Sequence, residues 1–284
     1  KCSAMWSGMM CLALLSCGGK ATAPTDSSPD LFLEEEKLVS LDEKEEEELG
    51  LNLDEENTTA IDGDFDDFLF AYLHSHTLRQ ERTVRPLRLE HAGHPAEMLE
   101  DFDPEFELGF LSGDYFTTLY GNVRQMHAED DEMYEGDSLV SLQRINLNDG
   151  TIRNFQFVRE DGRWKLEAIH ETTFQGDNLN DFLCFYARFC TDSIFQGESI
   201  ADPLHIVLGD PDNEGENIDG IIDADQWQTF CPEVPSGIIS NILKEQTYSG
   251  HRIVMRKSGL SNGLQEVFTF TKERNGWRLT RYEN

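Results

Sequence analysis

Large apolar residues alternate with polar ones in a hairpin-shaped pattern that occurs twice. Phe155-Gln156-Phe157-Val158-Arg159 is followed by a polar turn and then Trp164-Lys165-Leu166. The same order returns as Phe268-Thr269-Phe270-Thr271-Lys272, a polar turn and Trp277-Arg278-Leu279. The displacement is 113 residues without a gap (268 − 155, and again 277 − 164). Period-two alternation around a polar turn predicts a β-hairpin. A second period lies upstream of each hairpin. Phe65, Phe68, Leu69, Tyr72 and Leu73 fall at helical spacing, as do Leu179, Phe182, Leu183, Tyr186 and Cys190. Two amphipathic helices are therefore predicted, capped by Asp62 or Asp64 and by Asp177 or Asn178. Asp67-Phe68-Leu69 and Tyr72 match Asp181-Phe182-Leu183 and Tyr186, and Pro86-Leu87 matches Pro203-Leu204. The offsets drift by a few residues, as loop insertions between duplicated units would make them.

The segments between fill in two similar units. Short aromatic-bearing helical stretches are predicted at Asp114–Phe116 and Asp225–Trp227. Strands are predicted at 123–127, 138–147, 152–159 and 164–171 in the first unit. In the second they fall at 238–246, 251–257, 264–272 and 277–282. Asn148-Asp149-Gly150 and Asn262-Gly263 supply turns that tolerate positive φ. Each unit is thus helices first and then an antiparallel meander, an α+β architecture.

The first 59 residues read differently. Met5 to Leu15 is apolar but shorter than the ~20 residues that span a bilayer. Leu14-Leu15-Ser16-Cys17 follows and resembles a bacterial lipobox, in which the Cys17 thiol accepts the lipid. Residues 1–17 are expected to be a lipoprotein signal peptide. Residues 18–59, with acidic runs such as Glu45-Glu46-Glu47-Glu48, are expected to be a disordered acidic tether. The two units then occupy 60–173 and 174–284. The chain carries 55 acidic against 23 basic residues, a formal charge of −32. That balance argues against nucleic acid as a partner and against direct adsorption to an anionic membrane. Membrane contact is expected only through the lipid.

Helix, Pro-Leu segment, Trp-bearing short helix and terminal Phe-x-Phe…Trp-x-Leu hairpin resemble the nuclear-transport-factor-2-like cone. There a bent sheet wraps an N-terminal helix. Found twice behind a lipobox, they are similar to an uncharacterised family of Bacteroidota lipoproteins. The resemblance covers roughly residues 60–284. It implies two tandem cones forming an internal pseudo-dimer in one monomeric chain, anchored in the bacterial envelope on the periplasmic face or at the cell surface. It implies no activity.

No complete catalytic set is present. Cones of this type can house isomerase-like pockets built from a carboxylate and an acidic donor. Asp67 and Tyr72, however, lie five helical residues apart and so ~140° apart around the axis. Gly259-Leu260-Ser261-Asn262-Gly263 has the spacing of a nucleophile elbow but sits between two predicted strands rather than before a helix. His74, His76, His91 and His94 lack a metal-site framework. Asp210, Asp212, Glu214, Asp219 and Asp223 offer oxygens for Ca²⁺ in two incomplete registers, and a polar loop is the plainer reading. Arg79, Arg82, Arg85 and Arg88 recur every third residue; an anion site and local ion pairs are both readings, the second being plainer. Cys190 and Cys231 are the best-placed pair for a disulfide in an oxidising compartment, with free buried thiols as the alternative. The expected function is a non-catalytic module that binds an envelope protein, a glycan or a small molecule, without a cofactor other than that calcium option. A pocket enzyme of hydrolase or isomerase type and a structural assembly module are the alternatives.

Overall fold

A computed structural model describes residues 61–111, 113, 115–130, 138–210, 212–213, 215–230, 232–244, 248–259 and 264–284. The proposed signal peptide and tether, with Cys17, lie outside the described residues.

Helix α1 spans Phe65–His74. Asp64 caps it by accepting from the Asp66 amide at 2.7 Å, and Asp66 and Asp67 place negative charge in its first turn. Ser75 ends α1 and caps α2, His76–Arg82, through the Leu78 amide. β-branched Thr83 and Val84, with Pro86 beyond, turn the chain into strand β1, Thr83–His91. β2 is Glu97–Leu99 and α3 is Pro104–Leu108. Then follow β3 (Tyr115–Tyr120), α4 (Val123–Asp130), β4 (Leu139–Asn146), β5 (Thr151–Glu160) and β6 (Arg163–Thr173). The second unit repeats the order, without a counterpart of α4 among the described residues. It has α5 (Asn180–Thr191), α6 (Ser193–Glu198), β7 (Ile200–Gly209), β8 (Asn217–Ile222), α7 (Trp227–Phe230), β9 (Ile238–Leu243), β10 (Arg252–Gly259), β11 (Gln265–Glu273) and β12 (Gly276–Glu283).

The repeated apolar residues form the two cores. Phe68 and Tyr72 pack on Phe157 at 5.9 and 5.6 Å between ring centroids, and Phe182 and Tyr186 pack on Phe270 at 5.3 and 5.6 Å. Trp164 and Trp277 close the same clusters. Most of these contacts are edge-to-face and add specificity to the area buried.

Several elements differ from the sequence expectation. Tyr115–Tyr120 is a strand, because Thr117 and Leu119 face one side and its backbone pairs with β10. Val123–Asp130 is a helix, because Asn122 accepts from the Gln125 amide at its start and Met126 packs with Tyr120, Val254 and Val267. The two Pro-Leu segments lie in strands β1 and β7, each containing a cis proline bond, Arg85-Pro86 and Asp202-Pro203.

The six-stranded sheets run β2-β1-β6-β5-β4-β9 and β3-β10-β11-β12-β7-β8. Their orders match once β3 and β9 change places. The expected boundary near residue 174 therefore separates the helices of the two units but not their sheets. Each repeat lends its third strand to the other's sheet: Leu142 pairs with Ile242, and Met255 with Leu119. The lent strands also bond to each other. Thr117 N donates to Ser240 Oγ (2.8 Å) and Thr117 Oγ1 to the Ser240 carbonyl (2.6 Å), and Ser240 returns both bonds at 3.1 and 3.0 Å. Next to them Asn241 accepts from the Leu119 amide (2.8 Å) and donates to Gln143 Oε1 (2.7 Å). Thr117 and Asn241 are fully buried.

Replacing Asn241 with Ala leaves the Leu119 amide buried without its partner. Urea denaturation should show a loss of about 1–3 kcal/mol. Because the seam joins both sheets, tryptophan fluorescence and far-UV circular dichroism should still report one coincident transition; two separated transitions would contradict the interlocked fold.

Candidate functional site

One step beyond Phe155 on the core-facing side of β5 lies Arg153, and the strand register carries a row of polar residues across the sheet there. Arg153 stands opposite Arg144 on β4 and Glu171 on β6. Glu171 stands opposite His91 on β1, and Arg144 opposite Ser240 on the borrowed strand β9. His91, Glu171, Arg153 and Arg144 line an open groove of about 560 Å³ together with Thr151 and Thr173.

Three of these four side chains have partners. Arg153 Nε lies 2.6 Å from Glu171 Oε1, an ion contact without hydrogen-bond angles, and Arg153 Nη1 meets Glu107 of α3. His91 Nδ1 lies 2.8 Å from Glu171 Oε2. Among the described residues, no hydrogen bond or ion pair engages the Arg144 side chain.

The second unit fills the same row differently. At the offset of 113, Lys257 replaces Arg144 (257 − 144) and Glu266 replaces Arg153 (266 − 153). Lys257 Nζ and Glu266 Oε2 are 2.7 Å apart, with side chains only 4% and 6% exposed. Lys257 also donates to the Glu233 carbonyl (3.1 Å) and lies 4.7 Å from the centre of the Tyr115 ring. The Tyr282 hydroxyl donates to Glu266, and Trp227 and Phe230 pack on the Tyr282 ring. Burial first, and then the Glu266 carboxylate, push the Tyr282 phenol well above its ordinary pKa. This row is a closed ion pair under aromatic rings.

The residues singled out from sequence are placed as follows. Arg79 donates to Glu105 (2.8 Å) and to the Leu73 carbonyl (2.6 Å). Arg82 makes a two-pronged pair with buried Asp62 at 3.0 and 3.1 Å. Arg85 is exposed, and Arg88 pairs with Glu90 at 3.2 Å. The four arginines do not converge; the buried two pin α2 to its surroundings. Asp210 accepts from the Asn213 side-chain amide and then the Asp212 backbone amide, which hold its carboxyl below the usual range. Asp219 pairs with His205 (2.8 Å), and the Asp223 amide donates to Gln226 Oε1 (2.9 Å). Glu214 lies outside the described residues. Among the described residues, no three His, Cys, Asp or Glu side chains converge as a metal group. Cys190 donates to the Pro235 carbonyl (3.3 Å), and burial pushes its thiol up to about 12. Its expected partner Cys231, and most of the Gly259–Gly263 loop, lie outside the described residues. Asp67 is exposed, while Tyr72 shares a hydrogen bond with Thr83 at 2.6 Å. Its counterpart Asp181 takes Lys272 (2.6 Å) and Trp277 Nε1 (2.7 Å), which lower its pKa in that order.

The groove row escaped sequence reasoning because the repeat was read for its matches. The usable signal was a mismatch: an acid in one copy aligned with a base in the other, inside an otherwise conserved hairpin.

Helices packed in bent sheets, twice over, define a nuclear-transport-factor-2-like protein. A crystal structure of an NTF2-like protein from Bacteroides fragilis superposes with a TM-score of 0.69 at 28% identity, covering 78% of this chain and 96% of that one. Residues 45–284 match the family model of a domain of unknown function, DUF4348, and the chain belongs to that family. No curated protein matches the chain. No described helix is long and apolar enough to cross a membrane.

Replacing Glu266 with Gln strands the Lys257 ammonium in the core. Chemical denaturation should show a loss of about 3–5 kcal/mol, and a Lys257→Met, Glu266→Leu, Tyr282→Phe triple variant, which also removes the hydroxyl that donates to Glu266, should recover most of it.

Proposed function

We propose that this chain is an exported, lipid-anchored, non-catalytic binding module of the cell envelope, whose first unit holds a small polar ligand in the groove above Phe155. The observation that carries the reading is the divergence of one row between two copies of a shared scaffold. Where the second copy closes the row with a buried Lys257–Glu266 pair, the first leaves it open to solvent and lines it with charge. The cone interiors beneath are occupied by packed aromatics, and the groove lies open beside them. The anchor rests on the Leu14-Leu15-Ser16-Cys17 motif.

A pocket enzyme is favoured by one contact, the buried Glu266 carboxylate within reach of the Tyr282 hydroxyl. A carboxylate working as a base needs substrate in front of it. Glu266 instead faces Lys257, and Phe268 packs on Tyr282 at 5.1 Å. The binding reading therefore accounts for more of the arrangement.

Thermal melting of the mature chain against separate pools of glycans, peptides and small metabolites tests the reading. At least one pool should raise the melting temperature, since a ligand at 100 times its Kd adds about 2.7 kcal/mol. Turnover of a generic ester or isomerisation substrate, lost in Glu266→Gln and kept in Arg144→Ala, would overturn it in favour of the enzyme. For the anchor, radiolabelled palmitate should mark the wild type and not Cys17→Ala; equal labelling would reject it.

A further inference from the structure

We propose that the ligand of this groove carries an oxyanion, a carboxylate or a phosphate, and that Arg144 is the residue that receives it. The inference rests on the groove reading above and names the chemistry of its occupant.

Charge balance along the row is the first support. Arg144 and Arg153 stand directly opposite each other on neighbouring strands. Like charges so placed repel, at Cβ separations of roughly 5 Å. Arg153 is compensated by Glu107 and Glu171. Glu171 stands two strands away from Arg144, on the far side of β5, and meets Arg153 through one oxygen and His91 through the other. In a chain with a formal charge of −32, Arg144 is thus a groove-lining guanidinium without a carboxylate partner among the described residues.

The second copy supplies an independent support. Its cation at this strand position, Lys257, faces a carboxylate from the next strand at 2.7 Å. The scaffold therefore brings an acid and a base together across these two positions when the sequence provides both. In the first copy the acid's position is taken by Arg153. Arg153 takes its carboxylates from Glu107 and Glu171, which leaves Arg144 facing the groove as the cation that an anion from outside would pair.

Shape and ligand chemistry agree with this. A planar guanidinium gives paired N–H bonds to the oxygens of a carboxylate or phosphate. The groove volume of about 560 Å³ is larger than a bare anion and falls within the ~300–1,000 Å³ of small-molecule sites. Ala92 gives part of the wall apolar surface, and Thr173 adds a hydroxyl. The occupant is thus an anionic head on a small organic body.

Isothermal titration calorimetry on the full mature protein tests the assignment with succinate, inorganic phosphate and neutral N-acetylglucosamine as probes. Succinate or phosphate should bind the wild type, and the stronger of the two identifies the head as planar or tetrahedral. Arg144→Ala should weaken that binding at least about tenfold, since a hydrogen bond to a charged group is lost. Arg144→Lys should fall between, and Arg85→Ala, an exposed site away from the groove, should bind as the wild type does. Matching melting temperatures of Arg144→Ala and the wild type guard against a folding defect. Anion binding that survives Arg144→Ala would overturn the assignment. Binding of the sugar alone, equal in wild type and Arg144→Ala, would overturn the anion while leaving the binding module intact. Heat from none of the probes, with no pool raising the melting temperature, would remove both.

Discussion

An open sheet edge has to be paired, and here each repeat pairs the other's. β4 and β10 would each end a five-stranded sheet with unpaired amides and carbonyls facing the molecule's interior. Burying such groups unsatisfied costs several kcal/mol each, so the edge needs a strand. The strand comes from the partner repeat in both cases, which makes the exchange reciprocal and leaves neither sheet complete alone. At the crossing, Thr117 and Ser240 trade four hydrogen bonds, two in each direction, and Asn241 ties the seam to Gln143 and onward to Asn154. Each group there has a partner, which is the condition under which a buried polar seam stabilises rather than weakens a fold.

Locking the copies together also frees one of them to diverge. The second unit keeps a closed core, with an ion pair sealed under Tyr115, Tyr282 and Trp227. The first unit gives up that closure at a single row and gains a groove lined by charge. The cost of opposed arginines is carried in part by Glu107, which reaches in from α3, an element outside the sheet. Under the proposed binding role, function resides in the difference between the repeats, and their likeness is scaffold.

Much of that scaffold was legible from the chain. Helices α1 and α5 and the hairpins β5–β6 and β11–β12 were readable because their large apolar residues recur at helical or alternating spacing in both copies. The prolines hid β1 and β7, since a proline inside a run argues against a strand unless its position spares the ladder. Tyr115–Tyr120 and Val123–Asp130 were exchanged in kind because both are short. A six-residue strand and an eight-residue helix each offer few periods to count, and the Asn122 cap was the decisive but overlooked residue. Strand exchange had no signature of its own. β3 buries the same face whichever sheet it joins, so its pattern of apolar residues is blind to the choice. Of the site, the arginines that recur every third residue drew the eye, yet Arg79 and Arg82 are structural pins. Arg144 and Arg153 are nine residues apart and meet only through pairing, which is why spacing alone did not find them.

Amide hydrogen exchange resolved by mass spectrometry measures most directly whether the seam holds both units. If it does, peptides spanning 115–120 and 238–243 exchange only with global unfolding, at the rate of the Phe157 and Phe270 cores. Exchange at either lent strand much faster than in those cores would show that the sheets stand without it and would contradict the interlocked account.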